Sequence, residues 1–311
     1  MRRRIHLAPD APVAKTPDFP KAARVRVRRV LQEQWGSLQT EGPPVFSVYE
    51  VEDADGRVLA LKAGTRQAVE HELAILKSLS HPAIVRAHER VDRLPSDARR
   101  HECGFTMDRL EGVDFVTWVR GDLAVEDPDA PRTNLPMAFG YRMQAEGRSA
   151  FRRCSDSGLE RLRRALPVLA SALAAVHEKG FIHFDVQPHN VICAEEPVLV
   201  DLANAVAIGH PLGSTLYGLP SYVAPEFADS SRGIASPTAD AYSLGALFFE
   251  ALTGQLPFPD DDPVKVITSK LTLQPPVASE LVEDVPADLD VLIAALLARS
   301  PTDRPSLREL L

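Results

Sequence analysis

The chain has 311 residues, 45% of them hydrophobic and 25% charged. That is enough apolar material for one large core or two lobes, and it excludes global disorder. A formal net charge of −8 and an isoelectric point near 5.6 speak against a nucleic-acid partner, which needs a basic face to meet phosphates.

Arg2 to Arg4 make a short basic start that reads as a solvated tail. Pro9, Asp10 and Pro12 interrupt it at once, so neither a signal peptide, a transmembrane helix nor a membrane partner is expected. Lys21 to Gln34 mixes arginines with Val25, Val27, Val30 and Leu31 and reads as a short helix. Val45 to Val51 and Val58 to Lys62 flank the turn signal Asp53-Ala54-Asp55-Gly56, which predicts a hairpin. Val69 to Leu79 carries a helical stripe at Leu73, Ile75, Leu76 and Leu79, stopped by His81-Pro82. Strand-like runs follow at Ile84 to Val91 and Cys103 to Met107. Asp122 to Ser157, with Pro128, Pro131 and Pro136, reads as a surface insertion. Leu159 to His177 is a strong amphipathic helix. Short apolar runs at Val191–Cys193 and Val198–Val200 come next, and then helices at Asp240 to Leu252, Pro263 to Lys270 and Leu289 to Ala298. Cys103, Cys154 and Cys193 are odd in number and lack metal-ligand spacing, so they read as free thiols of a reducing cytoplasm.

The stretch His183-Phe184-Asp185-Val186-Gln187-Pro188-His189-Asn190 lies between a long helix and a short strand, and Asp201 ends the next apolar run. Phosphoryl transfer needs a carboxylate near the attacking hydroxyl and oxygen ligands for Mg²⁺. Asp185, Asn190 and Asp201 supply those groups in that order.

On these residues the chain resembles the eukaryotic-like protein kinases, in particular their bacterial Ser/Thr branch, over roughly residues 36–311. His183-Phe184-Asp185 stands where the family has His-Arg-Asp, and Asp201-Leu202-Ala203 where it has Asp-Phe-Gly. Ala224-Pro225-Glu226 matches the motif closing the activation segment. Asp240 to Gly245 matches the start of the buried helix that anchors the catalytic loop, and Arg304-Pro305 supplies the arginine that pairs with the Glu of Ala-Pro-Glu. The resemblance implies an α+β, bilobal fold: a small β-rich lobe with one helix over 36–110 and a larger helical lobe over 111–311. Residues 1–35 would be an extension and about 122–157 an insertion. It also implies ATP and Mg²⁺ as cofactors, and a protein substrate or regulatory protein as partner. Lys62 would be the ATP-contacting lysine, paired with Glu72; Asp185 the catalytic base; Asn190 and Asp201 the metal ligands. Met107, as gatekeeper, with Asp108, Leu110, Val48, Ala60 and Ile192 would surround the nucleotide, and Asp114 would reach the ribose.

Four departures qualify that expectation. The Gly-rich loop is missing: by spacing, Glu41, Pro43 and Phe46 take the glycine positions, and proline has no N–H to give a phosphate. Gln187 replaces a lysine expected on the γ-phosphate, and losing that charge-assisted bond removes about 1.5–3 kcal/mol. Leu219 stands where a threonine is expected. Phe184 replaces the arginine that receives activation-loop phosphate, so activity is expected not to depend on phosphorylation of Ser214, Thr215 or Tyr217. Beside an active protein kinase stand two other readings: a pseudokinase acting as a binding or scaffold module, and a small-molecule phosphotransferase.

Overall fold

A computed structural model describes residues 25–34, 46–98, 100–121, 152–211, 218–227 and 234–311. The chain divides into two units, an α+β bilobal arrangement as expected. Of the described residues, one unit holds 25–111 with Val200–Ala203, and the other holds Gly112–Leu199 with Asn204–Leu311.

Among its described residues the first unit is a five-stranded sheet with one helix packed on it. Its strands are β1 (Val25–Gln34), β2 (Phe46–Asp53), β3 (Val58–Gly64), β4 (Ala87–Val91) and β5 (Cys103–Asp108), in the order β1-β2-β3-β5-β4. Asp53 builds the β2–β3 turn by accepting from the backbone N–H of Asp55 and Arg57, with Gly56 at φ 78° as the left-handed residue. Alternation then sorts the faces: Tyr49, Val51, Leu61 and Ala63 meet Val91 and Ala98 in a closed apolar cluster. Helix α1 (Arg66–Ser78) starts at Thr65, whose hydroxyl accepts from the Ala68 N–H, and buries Val69, Leu73, Ile75 and Leu76.

The helix expected over Lys21 to Gln34 is a correction: residues 25–34 form β1, antiparallel to β2. The register shifts between Val27 and Arg29 and again between Val30 and Gln32. These bulges break the period-two pattern, which is why the apolar residues did not read as a strand. Arg28 and Arg29, which confused the stripe, lie beside Glu50, and Arg29 bonds it at 3.0 Å. Residues 25–34 of the segment read as an extension thus pair into the sheet.

The second unit is mostly helical. Among its described residues the helices are α2 (Phe115–Arg120), α3 (Asp156–Glu178), α4 (Thr238–Thr253), α5 (Pro263–Thr272) and α6 (Ala287–Leu296). Its short strands are β6 (Val113–Asp114), β7 (Phe181–Ile182), β8 (Val191–Cys193), β9 (Pro197–Leu199) and β10 (Val206–Ala207), arranged as β6-β8-β9 and β10-β7. Helix α4 is buried from Ala239 to Thr253, as its nearly continuous apolar sequence requires. At Gly245 an added Cβ would meet the Leu296 Cβ at 2.7 Å, so this glycine lets α4 and α6 touch. Helix α3 begins at Asp156 behind the Ser155 cap, inside the span read as an insertion; residues 122–151 of that span lie outside the described residues. No helix among the described residues is long and apolar enough to cross a membrane.

Candidate active site

Strand β3 carries Lys62 on the face opposite the apolar cluster, and α1 carries Glu72. The Lys62 ammonium lies 2.8 Å from Glu72 Oε2 and 2.7 Å from Asp201 Oδ1. The backbone N–H of Leu202 donates to Glu72 Oε1 at 3.0 Å, tying Asp201-Leu202-Ala203 to α1. Lys62 and Glu72 are almost wholly buried, with side chains 3% and 1% exposed. Burial pulls the Lys62 ammonium down, but the charges of Asp201 and Glu72 reverse this and hold it above the usual lysine value. Two carboxylates around one buried ammonium leave an excess negative charge. Glu72 answers it: burial pushes its carboxyl up to about 7 against the pull of Lys62, with Asp201 adding to the rise. Asp201 adopts φ 62°, an uncommon conformation for a residue with a Cβ. Phe46 opens β2, and its ring centroid lies 4.6 Å from the Lys62 ammonium.

In the second unit, the loop from His183 to Asn190 joins β7 to β8. Asp240, fully buried in the first turn of α4, anchors it. Its carboxylate accepts from the backbone N–H of His183 at 2.8 Å and of Phe184 at 2.9 Å, and contacts His177 Nε2 at 2.8 Å. Burial pushes Asp240 up, yet the hydrogen bond and charge of His177, with His183, draw its carboxyl below the usual range. Phe184 takes φ 69°, and its ring packs on Phe227 at 4.6 Å. The arginine that would be expected at 184 has thus become a buried apolar side chain.

That bend presents Asp185, which is 5% exposed. Gln187 Nε2 donates to its Oδ1 at 2.9 Å. Asn190 Nδ2 donates to its Oδ2 at 3.0 Å and to its backbone carbonyl at 2.8 Å. Asn204 Nδ2 donates to Oδ2 at 3.1 Å. Both Asn190 bonds use Nδ2, and the other end of the amide is the oxygen a hard cation takes. Among the described residues no group of three or more His, Cys, Asp or Glu gathers to hold a metal. Asn190 in one unit and Asp201 in the other each offer an oxygen of the kind Mg²⁺ takes, an ion held by one or two protein oxygens together with substrate phosphates rather than by a protein cage.

The remaining expected nucleotide residues are spread along the strands. Val48 pairs opposite Lys62, and Ala60 opposite Met107. Asp108 contacts His88 Nε2 at 2.6 Å, and Leu110 follows β5. Asp114 pairs with Ile192 across β6 and β8. Both carboxylate oxygens of Asp114 accept from Thr117, through its N–H and its hydroxyl, so this side chain caps α2.

Glu226 and Arg304 form a bidentate pair at 2.7 Å, and the guanidinium also reaches the carbonyls of Thr238, Ala298 and Arg299. Lys270 donates to the carbonyls of Pro220, Ser221 and Val223, holding the segment before Ala224. Sequence reasoning missed His177, Asn204 and Lys270. None belongs to a motif used above, and each is recruited across the fold. Glu41 and Pro43, with Ser214, Thr215 and Tyr217, lie outside the described residues.

Comparison with known proteins agrees with this fold. A family model described as "Protein kinase domain" matches residues 47–311. The chain is 36% identical over 143 residues to serine/threonine-protein kinase PknL of Mycobacterium tuberculosis, covering 44% of this chain and 35% of that protein. It is 34% identical over 143 residues to serine/threonine-protein kinase PknK of the same species, 44% of this chain and 13% of that one. For serine/threonine-protein kinase PknB of that species the identity is 36% over 152 residues, 46% of this chain and 24% of that one. The chain therefore spans about a third or less of the length of these relatives.

Proposed function

The chain belongs to the protein kinase domain family, and from that premise we propose that it is an ATP-dependent Ser/Thr protein kinase moving the γ-phosphoryl group to a protein hydroxyl. The observation that carries this reading is the buried cluster of Lys62, Glu72 and Asp201. Burying an ammonium with two carboxylates is costly unless the charges serve each other or a ligand. ATP, which the family implies, would supply the phosphoryl donor, and Mg²⁺, for which Asn190 and Asp201 each offer an oxygen, would offset the charge on its phosphates.

This chain's own residues do the rest. Glu72 keeps the Lys62 ammonium aimed where the α/β-phosphates would lie. Asp185, held by amides, accepts the proton of the attacking hydroxyl. Asp240 holds the backbone that presents Asp185. Such catalysis is positioning and electrostatics, so a substituted phosphate loop slows it without abolishing it. The three free thiols are in keeping with a cytoplasmic setting.

The pseudokinase reading draws on Phe46, whose ring covers the ammonium a phosphate would need. The Glu226–Arg304 pair favours a protein kinase over a small-molecule phosphotransferase. One experiment separates these readings: Mg²⁺-dependent ATP binding and autophosphorylation of the wild type beside Asp185→Asn and Asp201→Asn. Turnover lost in both variants supports the proposal. No binding and no turnover in the wild type leaves the scaffold reading, and binding without protein phosphorylation points to a small-molecule acceptor.

A further inference from the structure

We infer that Asn204 is a positioning residue for the base Asp185 and that it acts jointly with Gln187. The inference rests on the phosphoryl-transfer reading above. A base must present one oxygen to the hydroxyl it deprotonates. The terminal torsion of an aspartate is broad and nearly two-fold, so one donor does not fix the carboxylate plane. Here the two oxygens are held from different sides. Gln187 takes Oδ1 at 2.9 Å, while Asn204 takes Oδ2 at 3.1 Å.

Asn190 also reaches Oδ2, but divides its Nδ2 between that atom and the Asp185 carbonyl. As the proposed metal ligand, its orientation is set by a second task. Gly218 leaves room on the Oδ1 side: an added Cβ there would stand 3.2 Å from Oδ1 and 2.9 Å from the Phe184 carbonyl. Gln187 therefore holds the carboxylate on the Oδ1 side, and Asn204 with Asn190 holds it on the Oδ2 side.

Gln187 and Leu219 replace a lysine and a threonine that the resemblance leads one to expect around this aspartate. Gln187 still donates. Asn204 comes from the turn before β10, 19 residues along the chain, and brings a further donor to the same carboxylate. Asn204 is half-buried rather than part of the closed core, so replacing it leaves the packing of α4 and α6 in place.

The test uses the full chain, with peptide or autophosphorylation turnover as the readout. Asn204→Leu should lower kcat about tenfold, the loss of one hydrogen bond to a charged group, with KM for Mg²⁺-ATP within about twofold of wild type. Gln187→Lys should raise kcat more in the Asn204→Leu background than in the wild type, because a lysine there supplies the missing hold. A residue that merely supports the fold would not be rescued this way. Asn204→Ala is the second variant should leucine fail to pack, with melting midpoints checked throughout. A wild type that turns over, beside Asn204 variants within twofold of it, overturns this inference alone. So does an equal effect of Gln187→Lys in both backgrounds. A wild type with no turnover overturns the proposed function and this inference with it.

Discussion

Replacing Asp240 with asparagine should loosen the loop from His183 to Asn190 without changing any residue of that loop. Asp240 Oδ2 serves the His183 N–H and His177 Nε2, and Oδ1 serves the Phe184 N–H. Asparagine keeps one acceptor. Its better orientation puts Oδ1 toward His183 and His177, which leaves the Phe184 N–H facing an NH₂ group. One buried N–H without an acceptor costs about 1–3 kcal/mol, and two charge-assisted bonds become neutral ones, so a total loss of about 2–4 kcal/mol is expected. The orphaned donor belongs to the residue at φ 69°, a conformation that itself costs about 1–3 kcal/mol and persists only while its surroundings hold it. Phe184 should then relax and carry Asp185 with it, so kcat should fall more than tenfold.

Urea denaturation at neutral pH reads the stability and peptide phosphorylation the turnover. The folded carboxyl of Asp240 lies below its ordinary value. Its contribution is therefore present above the unfolded value, near 3.8, and is lost only as pH falls through the folded one. The difference between variant and wild type should accordingly stay level from neutral pH down to about 4 and shrink only in acid. A variant within about 0.5 kcal/mol of wild type, or one with full turnover, would refute the keystone role of Asp240.

Arg304→Lys should destabilise the second unit by about 2–4 kcal/mol, since one ammonium cannot replace a bidentate pair and three carbonyl contacts; a denaturation midpoint equal to wild type would contradict this. Glu72 stands at about 7 when folded, above its ordinary 4.5. Its contribution is present below pH 4.5 and lost as pH rises through 7, so Glu72→Gln should gain on the wild type in melting temperature across that window. A flat or opposite trend speaks against a Glu72 carboxyl raised by burial in that cluster. Phe46→Ala removes a ring from the Lys62 ammonium. If that contact is worth about 0.5–2 kcal/mol, Mg²⁺-ATP should bind about twofold to thirtyfold more tightly by calorimetric titration, whereas weaker binding would show the ring to be part of the nucleotide site.

Much of the fold is local chemistry and could be read directly. The hairpin follows from Asp53 to Gly56, and α1 from its stripe and the Thr65 cap. Helix α4 follows from an apolar run too continuous for a surface helix. The pairings Lys62–Glu72 and Glu226–Arg304 were legible because family motifs occur in order, although 10 and 78 residues separate the partners. Strand β1 was not legible, because two bulges hid its alternation and its arginines find their acids only on β2.

By itself the sequence determined which residues carry charge, and that His183 to Asn190 and Asp201 follow the order of protein kinase motifs. It also showed the losses at 184, 187 and 219. Only the tertiary structure decided what those changes do. Phe184 turned inward onto Phe227, Gln187 stayed on Asp185, and Asn204 arrived from 19 residues away to share the same carboxylate. A side-chain hydrogen bond extends only about 3 Å, so its partners are set by where distant backbone segments come to rest, and no residue spacing records that.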